Sequence, residues 1–392
     1  MPACAKRGWR SRLWGTAPTW HPAGDSWYYG LFWSGMPDLD FTQPAVRAEL
    51  TRVARQWLQR GADGYRLDAV RYLVETGPGA GQADTLPTHQ VLQELAAELT
   101  ATSPEALLLG EIWTDLETVA TYLDRRPHLE LHGAFAFDLA GAILADVAAG
   151  RAKAFPEVLC RTARAFPPEA LDATFLTNHD QDRVLTRLGG SLGQARVAAS
   201  LLLTLPGVPF VYYGDEIGMR NGRGAGDLAK RAPMQWDSGP NAGFTTGKPW
   251  QELEETAPSI NVAAQQADPA SLLAHYRRLI RLRLALPALA RGDYRPLPVT
   301  CGAGSCFAFA RRAGDELVLV VVNLGRSTAA EVELQVADLP VCAETPLTLQ
   351  PLEASRRSGP PLALAPGRAT LRPGPLAAQE TLVLAGKLPS CP

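Results

Sequence analysis

The sequence lacks a strong net charge, since its 392 residues sum to −2 at pH 7. This balance gives no electrostatic reason to expect nucleic acid or an anionic membrane as a partner. It also lacks an apolar run of the roughly 18 residues that a membrane-spanning helix needs. No signal peptide is predicted, because the N-terminal stretch MPACAKRGWRSRLW has positive charge without a continuous apolar segment. The compartment, cytoplasmic or secreted, stays open.

Cysteines are few and dispersed. None of the six forms a CxxC pair or a zinc-type spacing with histidine, so a structural zinc site is not expected. Cys301 and Cys306 are near enough in sequence to bridge a hairpin in an oxidising compartment. Dispersed cysteines are equally compatible with buried thiols, so the disulfide state of this pair stays open.

The pattern along the chain predicts more than one domain, since 392 residues exceed the size of a single hydrophobic core. Residues 1–42 are rich in Trp, Gly and Pro and predict irregular loops. From residue 43, helical periodicity alternates with short apolar runs, which predicts strands near residues 62, 106, 134, 173 and 209. This order favours an α/β fold with a parallel sheet. Residues 294–392 predict an all-β sandwich.

Three of the predicted parallel strands end in a carboxylate: Asp68, Glu111 and Asp180. In a barrel of parallel strands, the C-terminal strand ends meet on one face, where catalytic residues lie. Glycoside hydrolysis needs two carboxyl groups on such a face, one as nucleophile and one as acid and then base. Singly, each carboxylate is better explained by an ion pair, a cap or a surface charge. Their occurrence together at three strand ends carries the prediction.

The surroundings of each carboxylate indicate its role. Asp68 follows Arg66 by two residues, so both side chains share a face of the strand and the guanidinium keeps the carboxylate ionised, as a nucleophile requires. Glu111 precedes an Ile-Trp pair, an apolar setting that raises the pKa of a carboxyl group and favours a protonated acid. Asp180, beside His179, is placed to accept hydrogen bonds from sugar hydroxyls.

The motifs around these carboxylates, GYRLDAV, LLGEIW and FLTNHD, resemble the three catalytic-strand motifs of the α-amylase superfamily, glycoside hydrolase family 13. The stretches MPDLDF, GDEIGM and PMQWDSGPNAGFTTGKPW resemble the same family. The resemblance implies a (β/α)8 barrel with Asp68 as nucleophile, Glu111 as acid/base and Asp180 as transition-state stabiliser.

The resemblance also implies that Arg66 and His179 contact the nucleophile and the sugar. Trp113 and Tyr72 complete the predicted substrate-binding residues. Calcium-binding members of the family tend to carry His at the position of Tyr72, so the sequence argues against calcium, and it assigns no other cofactor.

The sequence departs from the family pattern on its N-terminal side. Family members begin with three further strands and a loop-rich inserted domain, whereas residues 1–42 look like a remnant of that insertion. The expected fold is therefore an incomplete (β/α)8-type barrel in residues 43–293, with strands four to eight recognisable, followed by the β-sandwich of residues 294–392. An unpaired strand edge promotes pairing with other chains. We expect either a homodimer or the Trp-rich N-terminus to cover the edge of the strand near residue 62.

The predicted function is hydrolysis of α-1,4-glucosidic bonds in starch or maltooligosaccharides through a covalent glycosyl–Asp68 intermediate, by an α-amylase or α-glucosidase type of enzyme. A transglycosylase, either glucan-transferring or trehalose-forming, would use the same three carboxylates and differs in the acceptor. A non-catalytic sugar-binding or inactive chain is the third alternative, since a truncated barrel can keep sugar stacking without turnover. The motifs do not separate endo from exo action.

Overall fold

The computed structural model describes residues 8–10, 17–123, 130–224, 226–302, 304–339, 346–352 and 360–389. The chain divides into two compact units. The first unit comprises Met1–Phe135 and Thr162–Asp172, and the second comprises Ala136–Arg161 and Ala173–Pro392. The prediction of three domains, with boundaries after residues 42 and 293, stays a prediction.

The first unit contains a hairpin followed by alternating helices and parallel strands. Its elements are β1 (Trp20–Ala23), β2 (Ser26–Tyr29), α1 (Pro44–Gln59), β3 (Gly64–Leu67), α2 (Leu86–Thr102), β4 (Leu107–Gly110), α3 (Leu116–Val119) and β5 (Gly133–Phe135). Strands β3, β4 and β5 pair in parallel, in that order. Helix α2 begins where Thr85 accepts a hydrogen bond from the backbone N–H of Thr88, which satisfies one of the unpaired donors of its first turn.

The start of β3 requires a glycine. Gly64 has a φ of +155°, and a Cβ atom at this position would collide with the backbone of Leu107 on the neighbouring strand. The close approach lets β3 and β4 pair from their first residues, Gly64 opposite Leu107. Buried side chains of α2, β4 and the segment after β3 then form one core, with members that include Val70, Leu99 and Leu108.

The N-terminal residues do not complete the sheet within the described part of the chain. Strands β1 and β2 pair with each other in an antiparallel hairpin, and β3 has β4 as its strand neighbour. The rings of Trp9, Trp20 and Tyr29 pack edge to face at centroid distances of 5.4–5.8 Å. Among the described residues the Trp-rich N-terminus therefore adds no strand beside β3, and its covering of this edge in another way stays a prediction. A homodimer at this edge stays a prediction.

The second unit begins with helices and ends in a large β region. Its helices and its first strands are α4 (Phe137–Ala149), α5 (Ala154–Ala165), β6 (Leu171–Thr174), α6 (Val184–Arg187), α7 (Leu192–Thr204), β7 (Val208–Pro209), α8 (Asp227–Lys230), α9 (Val262–Gln266), α10 (Leu272–Ala285) and α11 (Pro287–Arg291). The chain passes between the two units within α5 and within β6. Ala173 and Thr174 of β6 pair in parallel with β7.

The parallel strands lie where the sequence places them. All five predicted strands are present, as β3, β4, β5, β6 and β7. Among the described residues these strands do not close into an eight-stranded ring. The α/β prediction is thus confirmed for the parallel strands and their helices. No helix in the described ranges is both long and apolar enough to cross a membrane.

After α11 the described residues form strands and no helices, as predicted for the C-terminal part. Its strands are β8 (Asp293–Leu297), β9 (Val299–Thr300), β10 (Cys306–Ala313), β11 (Glu316–Asn323), β12 (Glu333–Gln335), β13 (Leu347–Leu352), β14 (Leu362–Leu364), β15 (Thr370–Leu371) and β16 (Thr381–Lys387). They form a sheet of order β14-β13-β16-β11-β10-β8 and a smaller sheet of order β15-β12-β9. Both sheets contribute to one apolar core, the larger through Leu317 and Leu384 and the smaller through Leu334 and Leu371.

The cysteine pair that the sequence left open is bonded. The sulfur atoms of Cys301 and Cys306 form a disulfide, with their Cα atoms 6.1 Å apart. The bridge joins the residue after β9 to the first residue of β10. Cys160, by contrast, is a free and exposed cysteine.

Two buried arginines bind the C-terminal end of α7. Arg311, on β10, donates to the carbonyl oxygen of Thr204 over 2.8 Å and to that of Gly292 over 2.9 Å. Arg283, on α10, donates to the carbonyls of Leu203 and Leu205 over 3.0 Å. Burial lowers the pKa of each arginine to about 10. The last carbonyls of a helix have no partner within the helix, so these arginines supply the missing donors.

We expect Arg311→Met to lower the free energy of unfolding by about 1–3 kcal/mol, because the substitution leaves the buried carbonyl acceptors without a donor. Chemical denaturation measures this change. The matched control is Arg312→Met at the next residue, whose side chain is exposed and donates to Gly314. A surface substitution of this kind changes stability by less than about 0.5 kcal/mol. Equal effects of the two variants would contradict the role of Arg311.

Candidate active site

Arg66 lies between two carboxyl groups in the first unit. Asp68 directly follows β3, and one of its oxygens is hydrogen-bonded to Nη1 of Arg66. Nη2 of the same guanidinium lies 2.7 Å from Oε2 of Glu111, the residue that follows β4. The pairing of β3 with β4 is parallel and in register, so both carboxylates emerge at the same end of the sheet. The predicted proximity of Asp68 and Glu111 is present.

The two carboxyl groups differ in exposure. The side chain of Asp68 is 71% exposed, whereas that of Glu111 is 11% exposed. Burial raises the pKa of Glu111 above its ordinary value. The positive charge of Arg66 opposes this effect, and the negative charge of Asp68 adds to it. Glu111 therefore keeps its proton to higher pH than an ordinary glutamate does.

The backbone of Ala69 adopts a conformation that lets its N–H contact the Glu111 side chain. Its φ of 45° and ψ of 38° lie in the left-handed region, which is unfavourable for a residue with a side chain. In this conformation the N–H of Ala69 donates to Oε2 of Glu111 over 3.3 Å. Strained residues of this kind persist where the surrounding structure fixes them, and they concentrate at functional sites.

The two predicted aromatic residues lie beside this pair of segments. Trp113, two residues after Glu111, is 49% exposed. The ring of Tyr72 packs against Phe32 at a centroid distance of 5.8 Å, and the guanidinium of Arg71 lies 5.3 Å from its centroid. About half of Trp113 is thus exposed to solvent, and Tyr72 packs against Phe32 and Arg71.

His179 and Asp180 belong to the second unit, in the segment that follows β6. Their side chains contact each other, with Nε2 of His179 3.3 Å from Oδ2 of Asp180. Arg231 donates from Nη2 to Oδ1 of Asp180 over 2.5 Å and from Nε to the carbonyl of His179 over 3.0 Å. Lys230 donates to the carbonyl of Asp180 over 2.8 Å. Two neighbouring cations therefore fix this predicted site segment.

A buried polar cluster around Asp215 contacts the same segment. Thr177 donates to Oδ2 of Asp215 over 3.3 Å. Burial raises the pKa of Asp215 to about 7, while the nearby charge of Arg183 opposes the rise. The guanidinium of Arg183 packs on the rings of Tyr212 and Tyr213, at 4.6 and 4.7 Å from their centroids. The segment that carries Asp180 is thus anchored at both of its ends.

Sequence reasoning missed Arg71, Lys230, Arg231 and the cluster of Arg183 with Asp215. Arg71 had a local signal, since it lies three residues after Asp68 and directly follows the motif GYRLDAV. Lys230 and Arg231 had none, because they follow Asp180 by about fifty positions and no periodicity relates the two segments. Among the described residues, no group of three or more His, Cys, Asp or Glu is arranged to hold a metal ion.

The arrangement of Asp68, Glu111 and Arg66 suits a particular kind of chemistry. An exposed carboxylate and a buried carboxyl group with a raised pKa lie beside one guanidinium. Such a pair can combine a nucleophile with a proton donor, the two functions that glycoside hydrolysis with retention uses. Asp68 is exposed and Glu111 is buried, and a difference in environment of this kind lets two carboxyl groups take different roles.

Known proteins share this sequence pattern. The family described as the α-amylase catalytic domain matches residues 3–292. An α-amylase 3 from Dictyoglomus thermophilum is 33% identical over 321 residues, which cover 81% of this chain and 59% of the relative. A trehalose-6-phosphate hydrolase from Escherichia coli is 32% identical, with 83% of this chain and 68% of the relative covered. The chain thus spans about three fifths to two thirds of the length of these relatives.

Solved structures resemble the fold as well. The α-amylase from H. orenii superposes with a TM-score of 0.77 at 31% identity, over 94% of this chain and 70% of that chain. The isomaltulose synthase SmuA from Protaminobacter rubrum superposes with a TM-score of 0.77 at 25% identity, over 98% of this chain and 76% of that chain. With the family match over residues 3–292 and these relatives, the chain belongs to the α-amylase catalytic domain family, glycoside hydrolase family 13.

Proposed function

We propose that this chain acts on α-glucans as a retaining glycosidase, and that it hydrolyses α-1,4-glucosidic bonds in starch or maltooligosaccharides. The observation that carries the proposal is the guanidinium of Arg66, which joins the exposed Asp68 to the buried Glu111 at the ends of adjacent strands. Membership of the α-amylase family supports it, as do the relatives named trehalose-6-phosphate hydrolase and oligo-1,6-glucosidase. We further propose that the five parallel strands are the last five of the family's eight-stranded barrel.

In the proposed reaction, the carboxylate of Asp68 attacks the anomeric carbon while protonated Glu111 donates its proton to the glycosidic oxygen. The glycosidic bond breaks, and a covalent glycosyl–Asp68 intermediate forms. Glu111, now a carboxylate, takes a proton from water, and the hydroxide equivalent displaces Asp68 and restores both groups. The raised pKa of Glu111 favours the protonated form that the first step needs.

The remaining predicted residues are proposed to bind the sugar. Asp180 would accept hydrogen bonds from sugar hydroxyls as positive charge develops on the ring, and Arg231 would hold its carboxylate in place. His179 and Arg66 supply donors to the sugar and the nucleophile. Trp113, which is 49% exposed, offers an aromatic ring for stacking, and Tyr72 lies in the segment that follows Asp68.

Transglycosylation is the second candidate function. It is favoured by a relative from Pimelobacter named trehalose synthase, by one from Mycobacterium tuberculosis named trehalose synthase/amylase TreS, and by the structural likeness to an isomaltulose synthase. The intermediate on Asp68 would be the same, with a sugar hydroxyl instead of water as acceptor. A third reading, a sugar-binding chain without turnover, predicts no difference between the wild type and the carboxylate variants described next.

We expect Glu111→Gln to lower kcat by about 10²–10⁴-fold on starch or maltotetraose, the range for loss of a general acid/base. Asp68→Asn is expected to abolish turnover, because the amide cannot form the glycosyl ester. Release of reducing sugar measures both. Glu49→Gln is the control, since its carboxylate is 61% exposed and pairs with Arg52 on the surface of α1. If all four proteins release the same trace of sugar, the catalytic proposal is wrong.

The activity is expected to fall as the pH rises through the pKa of Glu111, because only the protonated acid can donate. Arg66 lowers that pKa, so Arg66→Met should move the basic limb of the kcat/KM profile to higher pH. Arg55→Met is the matched control, since Arg55 pairs with Glu98 elsewhere in the first unit. A basic limb that stays in place, or that moves to lower pH, would contradict the assignment of Glu111 as the acid.

The products from a pure maltooligosaccharide separate the two enzymatic candidates. Hydrolysis gives only shorter sugars, each with a new reducing end. Transfer gives longer or rearranged sugars and fewer new reducing ends than bonds broken. We expect shorter sugars to dominate, as judged by chromatography of the reaction of maltotetraose at early times. Longer or rearranged sugars as the main early products would replace the hydrolase proposal with transglycosylation.

A further inference from the structure

Arg71 ties the segment after Asp68 to the segment after Glu111. It lies three residues beyond Asp68, and its Nη1 donates to the carbonyl oxygen of Trp113 over 3.0 Å, two residues beyond Glu111. Arg66 already joins the two carboxyl groups at the strand ends. Two arginines therefore connect the same pair of segments at two separate points.

The guanidinium of Arg71 is itself held in one orientation. Nε donates to Oδ1 of Asp84 over 3.1 Å, and Nη2 donates to Oδ2 of the same carboxylate. The N–H of Asp84 donates in return to the carbonyl of Arg71 over 2.9 Å. A bidentate pair of this kind fixes direction as well as distance, which a lysine cannot do. Asp84 keeps a left-handed backbone, with φ of 55°, to complete it.

This pair is anchored in the core of the first unit. The hydroxyl of Tyr122, whose side chain is fully buried, donates to Oδ1 of Asp84 over 2.8 Å. The ring of Tyr122 packs on His89 of α2 at a centroid distance of 4.3 Å. Nδ1 of His89 lies 2.7 Å from Oε2 of Glu130, and Gln93 of α2 donates to the other oxygen over 2.8 Å. Through Asp84 and Tyr122, Arg71 thus links helix α2 to the backbone of Trp113.

We propose that Arg71 is a positioning residue, which fixes the backbone from Glu111 to Trp113 and thereby the Glu111 carboxyl group relative to Asp68. The catalytic consequence rests on the proposed function, in which these two carboxyl groups react. Arg71 acts through the carbonyl of Trp113, so its loss lowers kcat through Glu111 and raises KM through Trp113, which the proposed function places against the sugar. A misplacement of about 1 Å at a reacting group costs about 10²-fold in rate.

The first unit contains a matched control for Arg71. Arg47 also pairs with one carboxylate, with Nε 3.2 Å from Oε2 of Glu94, and it also donates to one carbonyl, that of Phe41, over 2.9 Å. Its substitution removes the same kinds of interaction. It leaves the contact between Arg71 and Trp113 in place.

The test compares Arg71→Met, Asp84→Asn and Arg47→Met in the full chain. Asp84→Asn keeps the size of the side chain and weakens the hold on Arg71, while the remaining amide oxygen can still accept from Tyr122. Hydrogen–deuterium exchange reports the backbone amides of residues 111–114, and kinetics on maltotetraose report kcat, KM and the pH profile. We expect faster exchange at these amides in Arg71→Met and Asp84→Asn, a loss in kcat of about 10–10²-fold, and a rise in KM smaller than that loss. The basic limb should move to lower pH, because a loosened Glu111 is better hydrated. Arg47→Met should change neither the exchange nor kcat.

Two results would overturn the proposal. The first is exchange at residues 111–114 that is no faster in Arg71→Met than in Arg47→Met. The second is faster exchange with kcat and the pH profile of the wild type, which would make Arg71 a structural residue alone. If the wild type releases no sugar, the proposed function fails, and the exchange data by themselves still decide whether Arg71 fixes the Glu111 segment.

Discussion

The structure around the candidate active site depends on placing two carboxyl groups beside one guanidinium. Like charges close together destabilise each other, and a buried carboxylate loses hydration. Arg66 compensates both costs, because it contacts Asp68 and Glu111 at once. The difference in exposure then separates the groups, so the accessible carboxylate stays in water while the enclosed one tends to hold a proton. The strand register, the strained Ala69 and the glycine at the start of β3 all bring about this arrangement.

Much of this could be predicted from the sequence, because strands and their ends leave local signals. The run LLLG and the alternation of helices and apolar segments placed β3 to β7, and the carboxylates at strand ends followed from the position of Asp68 and Glu111. The left-handed backbone of Ala69 was not predictable, since alanine rarely adopts it and nothing in its neighbours demands it. It depends on an acceptor from the next strand, 42 residues away.

Contacts between segments that are distant in the sequence were likewise not predictable. Arg231 meets Asp180 across 51 positions, and Arg311 reaches Thr204 across 107, because folded loops and sheets bring them together. The sequence contained the residues but no period or motif that pairs them. The same holds for the N-terminus, where the hairpin of β1 and β2 satisfies its own backbone bonds. A composition rich in Trp, Gly and Pro specifies loops without specifying what they pair with.

The buried Asp215 has a consequence for calorimetry. Its pKa rises from an ordinary value near 3.8 to about 7 in the folded protein, so the folded state binds a proton that the unfolded state has released in that pH range. The contribution of this group to stability is therefore full below about pH 4 and is lost as the pH rises through about 7. Between these limits unfolding releases the proton to the buffer. The apparent enthalpy of unfolding must then vary with the ionisation enthalpy of the buffer. The slope of a plot of one against the other gives the number of protons that the protein exchanges with the buffer on unfolding.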